Sequence, residues 1–148
     1  MSKFTCLVLC VVAASISRVH ADDDANKAAF REAFKPILDE CSKEHGVSND
    51  DIDAAKKAGS ADAIKPCFFG CIYKKAEVFN AKGEYDVDSA LSKLKKFVPD
   101  EAKFAKYAEI GKKCASVNEK PVTDGDAGCE RGAMLTACFL ENRAEMLI

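Results

Sequence analysis

Apolar residues recur along this chain at helical spacing. Between Ala25 and about Lys43 they fall at Phe30, Phe34, Ile37, Leu38 and Cys41, steps of 4, 3, 1 and 3 that trace one helix face. Pro36 lies inside that run and lacks the N–H that would bond one turn back, which predicts a kink or a split; Gly46 marks the exit. Ser48, Asn49 and Asp50 are N-cap residues for a short second helix through Lys57, closed by Gly59. A third helix is expected to open at Ser60 or Asp62, to carry Ile64, Cys67, Phe68, Cys71, Ile72, Val78 and Phe79, and to end at Lys82-Gly83. Phe68 and Phe69 are neighbours, so one of the two is expected to point fully inward. Asp86 or Asp88 caps a fourth helix with Val87, Leu91, Leu94, Phe97 and Val98 as its apolar side. Pro99 and Asp100 separate it from a fifth, with Phe104, Tyr107, Ala108, Gly111 and Cys114 on one face. Asn118 to Gly128 reads as a loop, and a last helix from about Ala127 to Glu145 carries Met134, Leu135, Cys138 and Phe139. No apolar–polar alternation of strand length occurs, and Asp124-Gly125 lacks flanking strands. The pattern predicts an all-α, six-helix domain.

The first 21 residues follow a different pattern. Lys3 precedes an apolar run, Phe4 to Ile16, which ends in Ser17-Arg18-Val19-His20-Ala21. A positive start, a short apolar stretch and a small residue at the end are the features of a secretory signal peptide. The run is shorter than the roughly 20 apolar residues of a membrane span. The expected organisation is a leader over 1–21 and one domain over 22–148, exported to the extracellular space.

Composition adds to this picture mainly through what cleavage removes. The 148 residues are 48% hydrophobic and 31% charged, an ordinary balance for a globular domain, with a formal net charge of −2. Lys3 and Arg18 leave with the leader, so the mature chain falls to about −4, the opposite of a nucleic-acid footprint. His45 becomes the one histidine of the mature chain, followed by Gly46 in a helix exit with no Asp beside it, and is read as an exposed loop residue. No nucleophile elbow or metal triad is present, so no catalytic residues, metal or cofactor are expected. Six cysteines remain after cleavage, Cys41, Cys67, Cys71, Cys114, Cys129 and Cys138. An even number in a small exported domain reads as three disulfides, and zinc would need paired short spacings or more histidines. Cys67 and Cys71 are four apart, so both thiols leave one side of the third helix. Six cysteines allow 15 connectivities.

The gaps between these cysteines are the most specific feature: Cys41-x25-Cys67-x3-Cys71-x42-Cys114-x14-Cys129-x8-Cys138. This series, with the leader and the helical periodicity, resembles the insect odorant-binding proteins of the pheromone- and general-odorant-binding type. The resemblance covers the whole mature chain. It implies the pairing Cys41–Cys71, Cys67–Cys129 and Cys114–Cys138, and a stapled bundle enclosing an apolar cavity. It also implies a carrier that moves odorants, pheromones or related lipids through aqueous fluid to a membrane odorant receptor, as a monomer or weak homodimer. The x14 gap stands at the long end of the family range, and ten residues follow Cys138, too few for the long acidic tail of some moth pheromone-binding proteins.

Carried over relative to the cysteines, the resemblance implies Phe34, Phe69, Tyr73, Val78, Phe79, Tyr107, Leu135 and Phe139 as ligand-binding wall residues, with Tyr73 meeting the polar end of the ligand. Leu91 and Leu94 are added from the periodicity of the fourth helix. Aromatic walls with one or two polar groups are what an apolar ligand site requires. The apolar end Met146-Leu147-Ile148 is read as a segment able to fold back over the pocket. The rival reading is a secreted helical protein–protein interaction or signalling module. Ligand-induced stabilisation separates the two, because only a carrier gains stability from a small molecule by mass action.

Overall fold

The computed structural model of the chain describes residues 3–146, with side chains from Asp23 to Met146. Six helices follow in order: α1 Lys3–His45, α2 Asn49–Ala58, α3 Pro66–Lys75, α4 Val87–Leu94, α5 Glu101–Cys114 and α6 Cys129–Glu141. Short 3-10 turns lie at Ala115–Glu119 and Gly125–Ala127. The expected leader falls on the first half of α1, and its side chains, like Leu147 and Ile148, lie outside the described residues. Among the described residues no helix is long and apolar enough to cross a membrane.

Local chemistry accounts for most helix starts. At α2 the Ser48 hydroxyl accepts from the Asp51 N–H at 3.1 Å, while the Asp51 carboxylate accepts from the Ser48 N–H at 2.8 Å. That reciprocal capping box holds the Asp51 carboxyl below its ordinary range. Asp86 and Asp100 cap α4 and α5 by accepting from Ser89 N–H (3.0 Å) and Lys103 N–H (2.8 Å). At α6 the N-cap is Gly128, which has no side chain to offer. Asp124 reaches across instead and accepts from the N–H groups of Cys129 (2.6 Å) and Glu130 (3.1 Å).

Several sequence-based expectations are corrected. Pro36 does not split the first helix. It removes one hydrogen bond, and the carbonyl so freed belongs to the exposed Glu32, where water can satisfy it. His45 is the last residue of α1 and half-buried, its carbonyl accepting from the Lys65 ammonium at 3.0 Å. The third helix opens at Pro66, not at Ser60 or Asp62, because proline suits the first helical position, where its missing N–H costs nothing. It stops at Lys75, so Val78 and Phe79 do not extend it. Glu77 takes a left-handed conformation (φ 53°). The Glu77 N–H then bonds Lys74 O (2.9 Å), and the Val78 N–H bonds Tyr73 O (2.8 Å). This is the two-bond Schellman closure usually built on glycine. It turns the chain into a tight hairpin in which Phe79 and Tyr85 form an antiparallel β-bridge. The last helix runs Cys129–Glu141, shorter at both ends than the periodicity suggests. Phe68 and Phe69 are both buried, at 2% and 8% exposure, because α3 has neighbours on more than one side.

Packing follows an arc. α1 lies on α3, α3 on α6, α6 on α5, and α5 on α4. The closest approach is α3 against α6, where glycines face each other. A Cβ on Gly132 would sit 2.7 Å from Gly70 N, and one on Gly70 would sit 2.8 Å from Gly128 O. Three disulfides run along the arc: Cys41–Cys71 joins α1 to α3, Cys67–Cys129 joins α3 to α6, and Cys114–Cys138 joins α5 to α6. These are the bridges the family resemblance implies. Towards the open side, contacts between α1 and the α4–α5 end include Phe30 edge-on to the Phe97 ring at 5.3 Å and an ion pair of Lys103 with Asp23.

Candidate functional site

Two apolar clusters fill the inside of the arc. One gathers Phe79, Tyr85, Ile110, Cys114, Val117 and Leu135, with Tyr73, Val78, Met134, Phe139 and Met146 packed on it. The other gathers Cys41, Val47, Ile64, Phe68 and Phe69, with Ile37, Leu38, Ile72 and again Tyr73 against it. Tyr73 therefore stands between the two. The largest side chains wholly removed from solvent are Leu135, Cys41 and Cys114, and no aromatic ring is among them.

The ten residues expected to bind ligand distribute over this interior. Phe69, Phe79, Tyr107 and Leu135 are buried, whereas Phe34, Tyr73, Val78, Leu91, Leu94 and Phe139 are half-buried. Tyr73, Val78, Phe79, Leu135 and Phe139 share the first cluster, and Phe69 lies in the second. Phe34 stacks on Phe30 at 4.3 Å, outside both clusters. Val78 and Phe79 reach the interior from the hairpin after α3, and the Phe79 and Tyr73 rings lie 5.2 Å apart. Met146 of the expected tail segment packs on the first cluster, while Leu147 and Ile148 lie outside the described residues.

Two surface clefts, of roughly 430 and 380 Å³, lie elsewhere. The first is lined by Asp39, Ser42, Lys43, Val47, Ser48 and Asn49. The second lies between the Gly59–Asp62 turn and the end of α6. None of the ten candidate residues lines either one, and neither is the enclosed apolar cavity that the resemblance implies.

The polar groups of the interior are phenols. The Tyr73 hydroxyl lies 2.9 Å from the Thr136 hydroxyl, which donates to Gly132 O one turn back at 2.9 Å. Burial pushes the Tyr73 hydroxyl up to about 12, against the opposing pull of that hydrogen bond. Tyr85 falls between two helices, where the sequence pattern does not single it out. The Asn118 side-chain carbonyl accepts from the Tyr85 N–H at 2.8 Å, and the Asn118 amide donates to Tyr85 O at 2.9 Å. The Tyr85 ring is 4% exposed and meets Phe139 edge-on at 6.2 Å. Its hydroxyl is also pushed up to about 12, first by burial and then by Tyr73 and Asp86. Tyr107 shifts the same way through burial. Among the described residues one cluster of possible metal-ligating types occurs, Glu44, His45 and Cys71, on the outer side of α1 and α3. The sulfur of Cys71 is committed to Cys41, so the cluster has no thiolate to offer.

A sequence model of the PBP/GOBP family matches residues 23–142. Among solved structures, the chain is similar to the odorant-binding protein dmelOBP28a from Drosophila melanogaster, with a TM-score of 0.60 and 22% identity, over 80% of this chain and 95% of that one. At that identity the likeness shows a shared fold. No curated protein matches the chain.

Proposed function

Since the chain belongs to the PBP/GOBP family, we propose that it is an extracellular carrier that takes small apolar molecules into its interior. One structural observation supports this most directly. Two apolar clusters rich in aromatic side chains, with Phe68, Phe69, Phe79 and Tyr85 buried, meet at Tyr73, and the helices around them are tied by three disulfides. On the chain-entropy account the bridges contribute roughly 3–4.5 kcal/mol each. A bundle stabilised in that way depends less on its own core packing and can exchange inner contacts for contacts with a guest, which aromatic faces suit.

Under this reading residues 1–21 are removed on export and the mature domain begins at Asp22. Phe34, Phe69, Tyr73, Val78, Phe79, Leu91, Leu94, Tyr107, Leu135 and Phe139 supply the wall. Desolvation of the ligand provides most of the affinity, at about 25 cal/mol per Å² of apolar surface removed from water. Delivery to a membrane receptor and a monomeric or weakly dimeric state belong to the same proposal.

The test is uptake of a naphthylamine dye by oxidised chain produced in a secretory host, followed by displacement with odorants, fatty acids and terpenoids. Saturable uptake with displacement at micromolar concentration is expected, together with a raised melting temperature in the presence of the displacing compounds. N-terminal sequencing of the secreted product should read from Asp22. A disulfide-bonded protein that takes up no dye and gains no stability from any compound would leave the interaction-module reading in its place.

A further inference from the structure

The open side of the arc carries a third group of aromatic rings, apart from the two interior clusters. Phe30 stacks on Phe34 at 4.3 Å and meets Phe97 edge-on at 5.3 Å, and the Lys95 ammonium stands 4.5 Å over the Phe104 ring. All four rings are half-buried, and none belongs to either cluster. Basic residues frame them. On α1, Lys27, Arg31 and Lys35 follow one another in steps of four and form a row beside the Phe30–Phe34 stack. On the other side of the opening, Lys96 precedes Phe97 and Lys106 follows Phe104 by two positions, both exposed. The segments that form this lip, 23–35 and 93–106, hold eight basic residues against five acids, although the mature chain is net negative. Asp23 pairs with Lys103 and Glu101 with Lys95. Lys27, Arg31, Lys35, Lys96 and Lys106 have no ion-pair partner among the described residues.

We infer that this aromatic and basic lip is a docking surface for an anionic lipid bilayer, which would bring the open side of the bundle against the membrane. The inference goes beyond the carrier reading and stands without it, since it uses the charge and exposure of the lip and not the interior. Half-exposed rings suit the headgroup level of a bilayer, where one part of the ring meets hydrocarbon and the other meets water. Lysine and arginine lay their stems along apolar surface and reach the phosphates with their heads. Each free cation near an anionic surface adds attraction, which fades within a Debye length. A second copy of the chain is a poorer occupant. It would have to bring an acidic face with apolar rings, and the acidic helix α2, with Asp50, Asp51 and Asp53, has no buried residue and no aromatic ring.

The experiment is flotation of the full oxidised chain, produced in a secretory host, with vesicles of phosphatidylcholine alone or mixed with phosphatidylglycerol, at low and at high salt. Binding to the mixed vesicles at low salt is expected, with loss at high salt and little binding to phosphatidylcholine alone. Lys27→Glu/Arg31→Glu/Lys35→Glu should lower the partition onto mixed vesicles by about tenfold or more. Lys56→Glu/Lys57→Glu/Lys120→Glu makes the same change of net charge at exposed positions away from the lip, and should alter it by no more than about twofold. Melting temperatures establish that both variants are folded. No binding to the mixed vesicles, an equal loss in the two variants, or equal binding to phosphatidylcholine alone overturns the proposal. So does a dimer that the first variant dissociates in the absence of vesicle binding, which would give the lip to a second copy. Vesicle binding by a protein that takes up no dye overturns the carrier reading and leaves the docking surface standing.

Discussion

The glycine pair at the α3–α6 crossing allows one stability prediction to be worked through. The two helices meet where Gly132 faces Gly70, and a methyl group on Gly132 would lie 2.7 Å from Gly70 N, 3.0 Å from Phe69 C and 3.1 Å from Gly70 Cα. All three are backbone atoms and cannot rotate away. Restoring ordinary contact, near 3.4 Å or beyond, requires the helices to part by about 0.7 Å. Cys67–Cys129 ties the same two helices and opposes that movement. Overpacking of this kind costs about 1–3 kcal/mol, and a rigid, cross-linked crossing puts the cost at the upper end. Alanine regains about 1 kcal/mol of helix propensity over glycine. Gly132→Ala is therefore expected to destabilise the oxidised protein by about 2 kcal/mol, a fall in Tm of roughly 5–10 °C for a domain of this size. Thermal melting by circular dichroism measures it, with Ser92→Ala on the exposed side of α4 as the reference for an unobstructed gain in propensity. A Gly132→Ala protein as stable as the parent, or more so, would refute the reasoning, because it would mean that the two backbones are not in contact.

Two further predictions concern conformation and pH. Glu77 sits at φ 53° in a position that favours glycine, while its carboxylate pairs with Lys93 in solvent and is held below its ordinary range by that partner. Glu77→Gly removes the left-handed strain and an exposed ion pair of small value, so Tm should rise by about 3 °C; a fall would show that the ion pair outweighs the backbone. Tyr73 and Tyr85 are each pushed up to about 12 in the folded chain, against an ordinary phenol near 10. The stability gained by keeping them protonated is complete below pH 10 and is lost as the pH climbs from 10 towards 12. Ultraviolet titration of native against denatured chain should show the native transition displaced to higher pH, and coincident curves would contradict the burial described.

Helices whose caps are local are legible from residues alone. Ser48 with Asp51, Gly59, Asp86 and Asp100 act within a few positions of themselves, and the corresponding elements start or end where the pattern places them. What is not legible depends on contacts between distant segments. The end of α3 carries no glycine to announce it, because Glu77 occupies the left-handed position, so Val78 and Phe79 read as helix when they form a hairpin. The start of α6 is capped from Asp124, five residues upstream of Cys129, and no short motif encodes that reach. Tyr85 lies in a stretch that reads as a connection, and its enclosure depends on Asn118, 33 residues away. Gly70 and Gly132 look like ordinary helical glycines until α3 and α6 are laid across each other. Helical faces and cysteine offsets point to Tyr73, Val78, Phe79, Leu135 and Phe139, which gather in the first cluster, and to Phe69 in the second. The signal that could have found Tyr85 is its place between Gly83 and the Asp86 cap, a tight turn able to swing a ring inward.

The covalent order of the bundle coincides with its packing order. Cysteines join α1 to α3, α3 to α6 and α6 to α5, whereas α2 and α4 carry none, and of these two α4 stands at an end of the arc. It is eight residues long, about two turns, anchored by the Asp86 cap and by packing on α5. Free energies of local opening follow such differences, so α2 and α4 are the helices whose amide protons should exchange first while the cross-linked helices stay protected. If the chain carries a guest as proposed, one longer than the resting interior would be accommodated by displacing the two turns of α4, with no strain on any bridge, and heat resistance and tolerance of guest size would then fall to different segments of one short chain.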